Sequence, residues 1–227
     1  HSWNGKYRRP ADIATPDYQR PMRTSLLWIY EGLTQYLGQI LTARSGLWGE
    51  QDFRDKLALI AQWAGDHAGR TWRPLADTSV AAQLLFEARG DWQDWRRSTD
   101  FYDEGTLIWL DVDTLIREKT QGRRSLDEFC KRFYGGPGGP PRVVRYTLDD
   151  VVEALNALAP HDWKSFLLER LTSTSAAPPL AGIERAGWRL TWAETPSALQ
   201  SAFDKEAKRI DLSASICIVL KEEDGTI

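Results

Sequence analysis

The 227 residues are 42% hydrophobic and 27% charged with a formal net charge of -3 at pH 7, an ordinary folded-chain composition that excludes wholesale disorder and collagen-like structure. The acidic balance argues against a general binder of nucleic-acid backbones, and no run of about 18 uncharged apolar residues is present to span a membrane. Cys130 and Cys217 are too few for a disulfide framework and lack ligand spacing, whereas the 11 tryptophans are several times common usage. The single methionine is Met22, so neither end is expected to be a natural terminus, and a leader segment could precede the sequence.

Residues 1–20 read as a polar, basic stretch followed by a loop through Pro16. Pro21 and Thr24 open a helical pattern running to about Ser45, with Leu26, Tyr30, Leu33, Leu37, Ile40 and Leu41 at helical spacing and Gly46 as the stop. A second helix is predicted over 51–68, with Phe53, Leu57, Ile60, Ala61 and Ala64 on one face. A loop containing Pro74 covers 69–79, and Ser79 caps a short helix over 80–89. Residues 90–99 are polar and Trp-rich and read as loop, with Trp92, Trp95, Arg96 and Arg97 stacking there or forming a surface patch. A strong helix follows over 100–119, through Leu107, Ile108, Val112, Leu115 and Ile116.

Ser125-Leu126-Asp127-Glu128 is a capping box that opens a helix to about Phe133, and residues 135–141 form a flexible break. Thr147-Leu148-Asp149-Asp150 starts a helix to about Leu158, and another runs from His161 to Leu171. The character then changes. Residues 172–182 read as a linker, 187–194 and 213–221 show strand-like alternation, and Asp224-Gly225 is a turn signal. The expected fold is therefore mainly α, followed by a short β-containing segment.

Three places could carry chemistry. His1, beside Ser2-Trp3-Asn4, reads on its own as a solvated side chain. Glu31 lies within Leu26-Leu27-Trp28-Ile29-Tyr30, where apolar residues surround the helix, so its carboxylate is expected to be partly buried and to need a cation, a metal or hydrogen bonds. Tyr102, in Phe101-Tyr102-Asp103-Glu104-Gly105, reads on its own as a packed ring with a wetted hydroxyl. His67 and His161 read as ordinary surface or packing histidines, and the tryptophans as filling a helical core and lining a cleft.

Taken in order, His1-Ser2-Trp3-Asn4-Gly5-Lys6-Tyr7-Arg8-Arg9-Pro10 and Leu27-Trp28-Ile29-Tyr30-Glu31-Gly32-Leu33-Thr34-Gln35-Tyr36 resemble the glycyl aminopeptidase family of zinc metallopeptidases. These are gluzincins, with a thermolysin-like catalytic domain followed by a PDZ domain. The resemblance is most specific over 1–46 and continues through Tyr102-Asp103-Glu104-Gly105, Leu110-Asp111 and Ser125-Leu126-Asp127. It implies that residues 1–175 are the helical part of the catalytic domain, and 176–227 a linker and the truncated start of a PDZ-like domain. It also implies that His1 is the second histidine of an H-E-x-x-H zinc motif and Glu31 the third ligand. The first histidine and the general-base glutamate would then precede His1. Tyr102 matches a tyrosine that donates a hydrogen bond to the oxyanion of the tetrahedral intermediate. Glu104 stands where relatives carry lysine.

The complete protein is thus expected to be a zinc-dependent aminopeptidase acting on peptide substrates, with a preference for N-terminal Gly or Ala. The sequence as given is expected to be a metal-free, inactive fragment of it. Asn4, Lys6, Arg8 and Arg9 follow the zinc helix, either as solvated helix-end charge or as partners for a substrate carboxylate or structural anion. Relatives are often exported in bacteria, which implies the periplasm or cell envelope, with the cytoplasm as the alternative. A non-catalytic helical or PDZ interaction module, or a degenerate homologue, is the competing reading, and the convergence or divergence of His1, Glu31 and Tyr102 discriminates between them.

Overall fold

The computed structural model describes residues 1–85, 92–136, 138–140, 142–216 and 218–221. Its axis is helix α5 (Asp103–Lys119), in which every residue from Glu104 to Ile116 is buried. A helix buried all round must be enclosed by other elements. A π-helical turn (Trp28–Leu33) continuing as α1 (Thr34–Arg44), together with α2 (Glu50–Asp66), α6 (Leu126–Tyr134) and α9 (Ala181–Arg185), packs on it. Outside these, α7 (Leu148–Asn156) joins α6 to α8 (Trp163–Thr172), and α8 meets α3 (Leu75–Leu85).

The aromatic residues give this core its continuity. Trp28 stacks on Trp109 with ring centroids 5.8 Å apart, Trp109 meets Phe129 at 5.9 Å, and Phe129 stacks on Phe133 at 5.0 Å. Each such side chain contributes roughly 1.5–3 kcal/mol by leaving water. Trp28, Trp109 and Trp163 are fully buried, whereas Trp3, Trp72, Trp92, Trp95 and Trp192 are exposed, so the tryptophan excess is only partly core.

Local signals place several helices closely. In the Ser125 box, the Ser125 amide donates to Glu128 Oε2 at 2.7 Å while its hydroxyl oxygen accepts from the Asp127 amide at 3.1 Å. Thr147 and Asp150 make the corresponding pair, with the Thr147 amide donating to Asp150 at 2.7 Å. Helix α8, expected from His161, starts at Trp163, with Asp162 capping it by accepting from the Ser165 amide at 3.1 Å. Pro74 opens α3 at Leu75, ahead of the predicted start, because proline is suited to a helix entry. Ser79 is consequently buried inside α3 instead of capping it. The predicted helical positions 86–89 and loop positions 90–91 lie outside the described residues.

The first predicted helix starts late. Thr24 does not enter it; the Thr24 hydroxyl donates to the Ser79 carbonyl at 2.5 Å, tying the approach segment to α3. The loop predicted over 90–99 contains a single helical turn, α4 (Gln93–Arg96).

Beyond α8, residues 187–194 do not form a strand. Among the described residues their alternation finds no ladder partner, and Trp188 turns onto Phe53 at 6.0 Å. Helix α10 (Ala198–Glu206), capped by Ser197, follows where no element was predicted. Strands β3 (Arg209–Leu212) and β4 (Ile218–Lys221) then pair antiparallel, with one helical turn, α11 (Ser213–Ile216), between them. Cys217 and the predicted Asp224-Gly225 turn lie outside the described residues.

A second short pairing positions the beginning of the chain. Strand β1 (Arg8–Pro10) runs parallel to β2 (Val144–Tyr146), and the Val144 amide donates to the Tyr7 carbonyl at 2.7 Å. No helix among the described residues is long and apolar enough to cross a membrane.

Candidate active site

Residues 1–8 form a wound turn in which the amides of Lys6, Tyr7 and Arg8 donate to the carbonyls of His1, Ser2 and Trp3 at 3.0, 3.2 and 2.8 Å. Gly5 is required in this turn. Its φ is +135°, and a Cβ there would stand 2.8 Å from Tyr30 Cε2. Asn4 is buried and anchors the turn: its amide donates to the carbonyls of Ile29 and Tyr30 at 2.9 and 3.0 Å, and its oxygen accepts from the Tyr146 hydroxyl at 3.2 Å. His1 is thereby laid on the π-helical turn, with its ring stacked on Tyr30 at 4.5 Å.

The sequence-predicted site residues come together here. His1 Nε2 lies 3.1 Å from Glu31 Oε2, and His1 Nδ1 lies 2.9 Å from the Asn4 carbonyl. A carbonyl only accepts, so Nδ1 donates to Asn4, and Nε2 is the ring nitrogen left to face the Glu31 carboxylate. The phenol of Tyr102, at the start of α5, also lies close enough to the Glu31 carboxylate to interact with it. Burial pushes the Glu31 carboxyl up, with the Tyr102 phenol working against that shift. Burial and the Glu31 charge push the Tyr102 phenol up to about 12, so it stays a donor through pH 10.

Two glycines set the distance between the elements that carry these groups. The π-helical turn and α5 cross at Gly32 and Gly105, where a Cβ on either would stand 2.8 Å from the other's Cα. Nothing larger than glycine permits this approach without displacement, and it brings Glu31 and Tyr102 to one place.

The donor set suits a metal of the zinc class. Tetrahedral coordination with bonds of about 2.0–2.1 Å separates two ligand atoms by about 3.3 Å, close to the 3.1 Å between His1 Nε2 and Glu31 Oε2. A ligating histidine also commonly donates its other ring N–H to a carbonyl, as His1 does to Asn4. Among the described residues, no group of three or more His, Cys, Asp and Glu side chains is arranged to hold a metal.

Other expectations change. Asn4 and Arg8 are structural: Arg8 Nε donates to the Phe133 carbonyl at 2.8 Å, and its guanidinium lies 4.2 Å over the Phe133 ring. Arg9 Nε donates to the Gly5 carbonyl at 2.9 Å. Arg97 belongs to no surface patch. It is fully buried, as are Arg70, Asp100 and Glu104 to within 2%. His67 is buried too, with Nδ1 3.2 Å from Asp100. Both oxygens of Glu104 are taken by Arg70 and Arg97. Periodicity could not reveal this network, because its arginines lie in polar, irregular stretches; the charge of Glu104 beside apolar neighbours was the available signal.

Residues 1–108 match the family model described as M61 glycyl aminopeptidase. Among solved structures, the chain is similar to an aminopeptidase N family protein from Idiomarina loihiensis, with a TM-score of 0.64 and 23% identity over 81% of this chain and 31% of that one. The likeness shows the helical aminopeptidase-like fold, and the chain spans about a third of that protein's length. No curated protein is significantly similar to it.

Proposed function

We propose that the chain, whose residues 1–108 match the M61 glycyl aminopeptidase family model, is part of a peptidase whose zinc is held by His1 and Glu31. The observation that carries this reading is the meeting of His1 Nε2 and Glu31 Oε2 at 3.1 Å with the Tyr102 phenol on the same carboxylate. That convergence favours a catalytic cleft over a purely structural or peptide-docking module.

When bound, zinc would polarise the scissile carbonyl and activate water for hydrolysis. The residues described here supply three things. His1 offers Nε2, its other ring nitrogen being held by Asn4. Glu31 offers a carboxylate already partly stripped of water. Tyr102 offers a phenol that remains protonated and donates to the oxyanion as charge develops. The remaining histidine ligand and the general base are assigned to the segment preceding His1 in the longer protein. Residues 1–227 alone are expected to bind zinc weakly and to hydrolyse no peptide. The substrate class is peptides with a free N-terminus, with Gly, in line with the family's description as glycyl aminopeptidase, or the similarly small Ala preferred.

The direct test is the coding sequence upstream of His1. A histidine four positions before it and a glutamate three positions before it complete the motif. Absence of either removes a ligand or the base, and the peptidase reading with it.

A further inference from the structure

Tyr102 precedes a helix whose first turn is gripped from two sides. On one side Gly105 abuts Gly32. On the other lies a cluster of five buried ionisable side chains. Glu104 Oε1 accepts from Arg70 at 2.8 Å, and Oε2 accepts from Arg97. Arg97 Nε also donates to Asp100 Oδ2 at 2.8 Å, the oxygen that faces His67 Nδ1 at 3.2 Å. The guanidiniums continue outward: Arg70 donates to the Ser175 carbonyl and Arg97 to the Arg73 carbonyl, each at 2.7 Å. Asp100 and Glu104 bracket Tyr102 in sequence, and the Glu104 amide closes the first turn on the Asp100 carbonyl at 2.8 Å. The Tyr102 carbonyl is held in turn by the Thr106 amide and hydroxyl at 3.0 and 2.9 Å.

We propose that Glu104 is a positioning residue: clamped between Arg70 and Arg97, it fixes the first turn of α5 and so holds the Tyr102 phenol against Glu31. Taking two guanidiniums and two carboxylates from water into a helical core is costly, and only close, well-directed pairing offsets it, so the cluster holds its members in one arrangement. What it orders is the backbone on both sides of Tyr102. A phenol that donates to a developing charge must sit within a fraction of an ångström of its place, and small misplacements lower turnover more than they weaken substrate binding.

The proposal rests on the peptidase reading above, and the test separates the two. Wild type, Glu104→Gln, Tyr102→Phe and the double variant are compared in the full-length, zinc-loaded protein on a peptide with an N-terminal glycine. Glu104→Gln is expected to lower kcat roughly ten- to a hundredfold, with KM changed by less than about twofold and zinc content unchanged. In the Tyr102→Phe background the same substitution is expected to change kcat by less than about threefold, because the group through which it acts is gone. An equal loss in both backgrounds, or wild-type kcat in Glu104→Gln, overturns the positioning role alone. No hydrolysis by the wild-type protein, or full activity in Tyr102→Phe, overturns the underlying reading together with it. If Glu104→Gln fails to fold, Glu104→Asp enters the same cycle; it keeps the charge but is too short to reach both arginines.

Discussion

The carboxamide of Asn4 joins three parts of the molecule: the turn that carries His1, the π-helical turn that carries Glu31, and Tyr146 at the end of β2. Asn4→Ala is expected to cost about 1–3 kcal/mol, because buried carbonyls lose their donor and the Tyr146 hydroxyl its acceptor. Urea denaturation monitored by tryptophan fluorescence measures this, and an unchanged midpoint would mean that the bonds are dispensable. Residues differ in how far the sequence exposes their roles. Glu31 is legible physically, since a carboxylate ringed by apolar neighbours must find a partner. Tyr102 is legible only through resemblance, because nothing in its local pattern distinguishes a catalytic phenol from a packed one. Asn4 stands within a readable motif, but its function depends on partners that no local pattern links to it.

The crossing of the π-helical turn and α5 is the element-scale feature on which the site depends. Gly105→Ala puts a Cβ 2.8 Å from Gly32 Cα and 3.3 Å from the Trp28 carbonyl oxygen. In an exposed helix the same change stabilises by about 1 kcal/mol. Here overpacking should outweigh that gain, for a net loss of about 1–3 kcal/mol, and Tyr102 should move away from Glu31. A raised melting temperature would contradict the close approach. Helix starts set by capping chemistry at Ser125 and Thr147 are readable because donor, acceptor and spacing are all local. The late start of the first helix and the absence of a strand over 187–194 are not readable, because tertiary partners decide both. Thr24 is drawn to Ser79, and Trp188 to Phe53.

At the scale of the whole molecule, α5 carries three buried acids, and each ties it to a different neighbour. Glu104 meets Arg70 and Arg97. Asp113 accepts from the Tyr36 hydroxyl at 2.8 Å and from the Leu126 amide at 2.7 Å. Asp111 accepts from Arg170 of α8 at 2.7 Å and from Arg185 of α9. Asp111→Asn removes the buried carboxylate that joins these two partly buried guanidiniums, while Arg185 keeps Glu118 at 2.6 Å, and is expected to cost about 3 kcal/mol, the low end for breaking a buried pair. Denaturant titration checks the cost, and a loss below about 1 kcal/mol would mean that water compensates both arginines. The mainly helical architecture was legible in the periodicity of the sequence; the arrangement of charge inside it was not, since ion pairs follow spatial neighbours rather than spacing. The proposed site makes His1 and Glu31 ligands of one zinc ion. Metal analysis of the full-length protein and its Glu31→Ala variant tests it most directly. About one zinc per wild-type chain and loss of most of it from the variant are expected, whereas stoichiometric zinc retained in Glu31→Ala would rule out Glu31 as a ligand.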